Sequence, residues 1–226
     1  MDGLGKFILQ EMDTMYNYRY VSKEETSPVR ERLEEIIHEV QNLVREDFTF
    51  KYKFIGSASR NMITCDPDSN IGFDFDVNIE VNDEDEEYSA GEIRNIIRNA
   101  LDKVAWRYGY DYCEDSTRVL TIKVKDKQRS RILHSCDFAI VYNYGDGKQQ
   151  YIRFNKVSQT YQWVEQGKGY YRLPEKIEWL KKNKLWSDVR ERYIYKKNVN
   201  MNPIKHSRTI FAETINDICG KNGYND

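Results

Sequence analysis

From Phe73 to Val81 the chain alternates without a break. Phe73, Phe75, Val77, Ile79 and Val81 fall on one side, and Asp74, Asp76, Asn78 and Glu80 on the other. Period-two alternation of this kind is the pattern of a β-strand with one face buried and one polar. The apolar face requires a packed partner layer. On the polar face, residues i and i+2 project together, so Asp74 and Asp76 stand side by side. Two bare carboxylates so close repel and raise each other's pKa unless a cation joins them. Magnesium, which prefers oxygen ligands, resolves that conflict.

The elements around this strand can be read in outline. Leu4, Phe7, Ile8, Met12 and Met15 are spaced for an amphipathic helix over residues 3–19. Ser27 and Pro28 read as an N-cap and a first helical residue, opening a helix over 28–46 on Val29, Leu33, Ile36, Ile37, Val40, Leu43 and Val44. Residues 48–55 are aromatic and β-branched, a strand that ends at Gly56; a loop with one helical turn covers 57–70. The acidic run from Asn82 to Glu87 is a solvated turn before a helix over 89–108. Strands follow at 117–125 and 132–143, joined by the basic turn Lys125–Arg131. Beyond residue 155 the pattern turns helical and tyrosine-rich. One helix opens at Pro174 and runs through Ile177, Leu180 and Leu185, and a last one covers 203–219. The expected division is a mixed α/β half over 1–155 and a smaller helical lobe over 156–226.

Two further features give the Asp74–Asp76 pair a chemical context. Asp137 lies between Cys136 and the apolar run Phe138–Val141, where a lone charge is costly to desolvate without a partner. If its strand lies beside that of Asp74 and Asp76, three carboxylates converge and can bridge two ions about 3.5–4 Å apart, the spacing used for in-line phosphoryl displacement. At the other end, Gly56 lets the backbone approach phosphate oxygens closely. Ser57 adds a hydroxyl, the amides of a following turn add positive potential, and Arg60 offers a planar fork of donors.

Composition narrows the class. Of 226 residues 39% are hydrophobic and 13% aromatic, which supports a folded core rather than a disordered chain. The net charge of −2 supplies no global field for nucleic acid, so no broad nucleic-acid-binding surface is expected. The four cysteines form no Cys-x-x-Cys pair, and no run approaches the ~20 apolar residues of a membrane helix. A soluble, cytoplasmic protein with reduced thiols is the expectation, with no membrane partner.

Taken in order, Ile55–Asn61, the pair Asp74 and Asp76 separated by Phe75, and Asp137 on a later strand resemble the signature of the nucleotidyltransferase superfamily, the polymerase-beta-like fold. The run Ile55–Asn61 is most similar to the branch of CCA-adding enzymes, oligoadenylate synthetases and cyclic dinucleotide synthases. The resemblance covers residues 30–145 and implies an α+β fold: a small mixed sheet backed by helices. It implies that Gly56 and Ser57 bind the triphosphate and that Asp74, Asp76 and Asp137 are catalytic metal ligands, with Asp137 assisting the acceptor hydroxyl. It also implies a Mg2+ cofactor, with Mn2+ able to substitute. Sixteen residues separate Ser57 from Asp74, a longer spacer than the family pattern, with the excess in Asp66–Gly72.

The expected activity is transfer of a nucleoside monophosphate from a nucleoside triphosphate to an acceptor hydroxyl, releasing pyrophosphate. The acceptor is open: a second nucleotide, giving an oligonucleotide or cyclic dinucleotide signal, an RNA end, a protein or a small molecule. The rival is a non-catalytic nucleotide-binding or antitoxin-like partner protein on the same fold. Further residues carry two readings each. Tyr170 and Tyr171 could stack on a base or pack internally. The basic stretch Lys123–Arg131 could meet an acceptor phosphate or form a solvated hairpin. His134 could relay a proton to Asp137 or lie elsewhere. Lys181, Lys182, Lys196 and Lys197 read as helix surface.

Overall fold

The computed structural model describes residues 16–83, 85–145, 148–167 and 173–224. The chain divides into two compact units. One holds Tyr20–Cys65 and Ser69–Gly167; the other holds the described parts of Met1–Arg19, Asp66–Asp68 and Lys168–Asp226. The helix expected over 3–19 lies almost wholly outside the described residues, and so do Tyr170 and Tyr171. At its end, Arg19–Tyr20 form a short strand, β1.

Helix α1 spans Lys23–Leu43, starting earlier than the Ser27-Pro28 signal indicated. Ser22 is the N-cap: it accepts from the Glu25 amide, and the Glu25 carboxylate accepts from the Ser22 amide at 2.9 Å. This reciprocal box satisfies two otherwise orphaned amides and fixes the helix start upstream, so Pro28 sits inside the helix. Strand β2 (Thr49–Ile55) leads into the single turn α2 (Gly56–Ser59), then β3 (Thr64–Cys65) and β4 (Phe73–Asn82). Helix α3 (Ala90–Ala105) opens with a second capping box, Ser89 with Glu92, and ends in a 3-10 turn over Trp106–Tyr108. Strands β5 (Glu114–Asp115), β6 (Leu120–Asp126), β7 (Arg131–Tyr144), β8 (Lys148–Asn155) and β9 (Thr160–Glu165) complete the sheet.

The main sheet runs β2-β4-β7-β6-β5, with β8 on β7 and β9 on β8. All its described pairings are antiparallel except β4 with β7, which makes the sheet mixed. The alternation in β4 is realised as read: Phe75, Val77, Ile79 and Val81 are buried. They join Phe50 and Phe54 of β2, Leu120 and Ile122 of β6, and Cys136, Phe138 and Ile140 of β7. Leu33, Ile36, Ile37 and Val40 of α1 and Ile93, Ile97, Leu101 and Val104 of α3 belong to the same core. Helices thus back one face of the sheet and leave the acidic face of β4 for chemistry.

Strand β9 corrects the expectation that the chain turns helical after residue 155. Thr160, Tyr161, Trp163 and Val164 are β-formers that pair with β8 from Thr160↔Asn155 to Glu165↔Gln150. Asn155 shapes the reversal by accepting the amides of Val157 and Ser158 at 2.9 and 3.3 Å. A second feature escaped the sequence reading. Arg94 of α3 is fully buried, yet bonds Asp115 at 2.6 Å and the carbonyls of Ser116 and Val119 at 2.6 and 3.0 Å. Tyr161 donates to the other oxygen of Asp115 at 2.6 Å, so one ion pair ties α3, β5 and β9 together.

The second unit contains α4 (Leu173–Lys182), α5 (Trp186–Asn198) and α6 (Ser207–Lys221). The helix opened by Pro174 does not continue through Leu185. The chain reverses where Lys184 takes φ +59°, and the Leu185 amide closes on Leu180 O at 2.9 Å. The last helix begins at Ser207 rather than 203. Tyr193 and Phe211, with ring centroids 5.9 Å apart, belong to its apolar interior along with Val189 and Ile215. Lys197, expected on the surface, is buried with its ammonium 3.8 Å from the Tyr18 ring centroid, a cation–π contact.

Candidate active site

Register places the carboxylates. Because β4 and β7 run parallel with Asp76 opposite Asp137 and Asp74 opposite Ser135, the odd-numbered residues of β7 share the acidic face of β4. One ligand oxygen from each of Asp74, Asp76 and Asp137 lies within 4.8 Å of the other two. The expected convergence is therefore present. Phe75 and Cys136 point into the core on the reverse side, both essentially inaccessible.

Like charges in a half-buried site shape its titration. Burial, then the charges of Asp137 and Asp76, pushes Asp74 up to about 8; the Ser135 hydroxyl, 2.9 Å from its Oδ1, works in the opposite direction. Burial and Asp137 raise Asp76, against the charge of Arg60. Burial also raises Asp137, opposed by Thr121, whose Oγ1 donates to Asp137 Oδ1 at 2.5 Å, and by the charge of Lys123. Three oxygen donors, each short of compensating positive charge, form a donor set suited to a hard divalent cation. The residues present fit such an ion.

The glycine-serine pair borders Asp76. Ile55 is opposite Asp76 across the β2–β4 ladder, and β2 ends in the turn of Gly56 at φ +61°. The Ser57 carbonyl accepts the amides of Arg60 and Met62 at 3.2 and 2.9 Å, closing the turn. Arg60, half-buried, exerts its charge on Asp76. Gly56, Ser57 and Arg60 therefore lie on the Asp76 side of the acidic cluster.

Three polar residues on this face, Thr121, Glu114 and Ser135, were not assigned roles from the sequence. Across the strands, Asp76, Asp137, Thr121 and Glu114 form one row, and Asp74, Ser135 and Lys123 a second. Lys123 donates to Glu114 at 2.5 Å, which gives the basic stretch an intramolecular partner. Ser135 was readable from its i−2 spacing to Asp137; Thr121 and Glu114 join the row only through strand pairing. His134 faces the other way. It is buried beside Tyr110 and Phe73, with ring centroids 5.4 and 5.7 Å away, and burial holds its pKa down to about 4. A relay from His134 to Asp137 is thereby excluded, because residues three apart on a strand project from opposite faces.

No family model and no curated protein matches the chain. Solved structures do. The Vibrio cholerae DncV cyclic AMP-GMP synthase, a prokaryotic cGAS homolog, aligns with a TM-score of 0.57 at 10% identity, over 89% of this chain and 68% of that one. The 3'-deoxy ATP bound form of DncV gives 0.54 at 13% identity, over 88% and 53%. The GTP bound form gives 0.54 at 14% identity, over 88% and 52%. The present chain thus spans about half the length of the two nucleotide-bound chains it matches. Among the described residues no helix is long and apolar enough to cross a membrane. The mixed sheet, its helical backing and these alignments together give the chain the α+β fold of the DncV synthase.

Proposed function

We propose that this protein is a metal-dependent nucleotidyltransferase that moves a nucleoside monophosphate from a nucleoside triphosphate to an acceptor hydroxyl and releases pyrophosphate. The observation that carries this reading is the convergence of Asp74, Asp76 and Asp137 on one sheet face, within 4.8 Å, beside the Gly56 turn. Asp74, Asp76 and Asp137 would hold Mg2+, or Mn2+ in its place. When bound, such an ion supplies charge neutralisation at the phosphates and lowers the pKa of a coordinated hydroxyl.

The chain's own residues supply position and proton transfer. Gly56 lets the backbone meet the triphosphate without a side chain between them, and Ser57 and Arg60 donate to its oxygens. Asp137, at the centre of the row and held at one oxygen by Thr121, orients the acceptor hydroxyl and receives its proton. Attack of that hydroxyl oxygen on the α-phosphorus forms the new P–O bond as the bond to pyrophosphate breaks. A second nucleotide as acceptor would give an oligonucleotide or, on ring closure, a cyclic dinucleotide. The likeness in fold to DncV, a cyclic AMP-GMP synthase, supports that acceptor first.

The test is incubation of the purified protein with each α-labelled nucleoside triphosphate and Mg2+ or Mn2+, beside the Asp74→Ala/Asp76→Ala variant. Pyrophosphate with a new labelled product, absent in the variant, is expected. Failure to turn over any donor, together with no metal-dependent nucleotide binding, would reject the reading.

A further inference from the structure

Thr121 is buried, 8% exposed, on the face that carries the acidic cluster. Its Oγ1 lies 2.5 Å from Asp137 Oδ1, the short distance of a hydroxyl donating to an ionised carboxylate. The antiparallel pairing of β6 with β7 sets Thr121 directly opposite Asp137. Threonine is also stiff at χ1, so the backbone register fixes where the hydroxyl stands.

Asp137 has no such stiffness. Its carboxylate turns about two torsions and faces two other carboxylates whose ligand oxygens lie within 4.8 Å. Repulsion favours rotating it away from them in the absence of a cation. The Thr121 hydroxyl, on the far side of Asp137 from Asp76, anchors one oxygen at a fixed point and so restricts both torsions. Valine would fill the same space and suit the strand equally well, so strand packing does not require the hydroxyl.

We infer that Thr121 is a positioning residue of the metal site: its hydroxyl ties one oxygen of Asp137, keeping this carboxylate in the cluster and presenting its second oxygen to a divalent cation. This rests on the metal-site part of the function proposed above and adds to it the residue that sets the geometry of the third ligand. Hydrogen-bond partners that orient ligating groups commonly change metal affinity about 10–100-fold when removed.

The experiment is a Mn2+ titration of the full chain without nucleotide, following loss of the free-ion signal by electron paramagnetic resonance. Thr121→Val should weaken binding about tenfold or more, and Thr121→Ser should retain nearly the wild-type affinity. In an Asp137→Asn background, Thr121→Val should add little, because the group it orients is no longer a full ligand. Wild-type affinity in the valine variant overturns the inference. So does an equal loss in the serine variant, or a full additive loss in the Asp137→Asn background. If the valine variant does not fold, the serine variant still decides: a loss as large as that of Asp137→Asn overturns the role. Wild-type Mn2+ binding with neither nucleotide transfer nor metal-dependent nucleotide binding would reject the enzymatic reading alone. Nucleotide transfer with an unaltered valine variant would reject only the role of Thr121.

Discussion

Gly56 and Asp76 are so closely apposed that a Cβ on the glycine would lie 2.3 Å from Asp76 Oδ2. The glycine also holds φ +61°, in the left-handed region. Gly56→Ala must accept that backbone, which costs about 1–2 kcal/mol for an L-residue, and must displace the Asp76 carboxylate as well. Urea unfolding should show a loss of at least that size, and Mn2+ titration a weaker site. Unchanged stability and affinity would show that the turn relaxes freely.

Asp74 carries a pH signature. Between its ordinary pKa near 3.8 and about 8, the folded protein holds a proton that the unfolded chain has released. Metal-free stability contributed by this group therefore falls as pH rises through that window. Asp74→Asn should raise the Tm of metal-free protein at pH 8.5, by about 2–4 °C for each kcal/mol of relieved repulsion. Saturating Mg2+ should raise the wild-type Tm and leave the variant nearly unmoved. Melting curves at pH 6 and 8.5, with Mg2+ or chelator, check both expectations; a metal-free Tm unaffected by Asp74→Asn would contradict them.

His134 gives the opposite slope at lower pH. Burial lowers its pKa to about 4 from 6.5, so below 6.5 the unfolded chain takes up a proton that the folded chain refuses. Its contribution penalises the fold progressively as pH falls from 6.5 to 4, by roughly 2 kcal/mol at pH 5. His134→Phe, which keeps an aromatic ring between Tyr110 and Phe73, should flatten that part of the stability–pH curve. Nucleotide transfer at pH 7.5 should be unaffected, since the ring lies on the face opposite Asp137. A large loss of turnover with intact stability would restore His134 to the mechanism.

The Arg94–Asp115 pair should be costly to break. Asp115→Ala strands a fully buried guanidinium and removes the acceptor of Tyr161, and leaving such a charge uncompensated costs about 3–5 kcal/mol. Urea unfolding measures the loss. A change below about 1 kcal/mol would mean that the Ser116 and Val119 carbonyls suffice for Arg94.

Legibility followed the range of the interaction. Strand β4, helix α3 and the end of β2 at Gly56 were readable because periodicity and end signals are local properties of the chain. The start of α1 was misplaced because two N-terminal signals compete within a few residues, and the complete capping box at Ser22 outweighs a lone Ser-Pro. Strand β9 was missed although its residues favour strands, because a short edge strand gains its stability from the β8 ladder rather than from its own pattern.

For the site, the sequence by itself determined that Asp74 and Asp76 share a face, since alternation on a strand permits nothing else. It also supplied the Gly56-Ser57 pair and an aspartate, Asp137, in an apolar run. Tertiary structure decided the rest. The parallel register of β4 on β7 sets Asp76 beside Asp137, and the antiparallel register of β6 sets Thr121 behind it. The same pairing turned His134 into the core. Register is fixed by burying one face of every strand at once, and a shift of one residue would turn each carboxylate inward. That constraint belongs to the assembled sheet and is carried by no single segment.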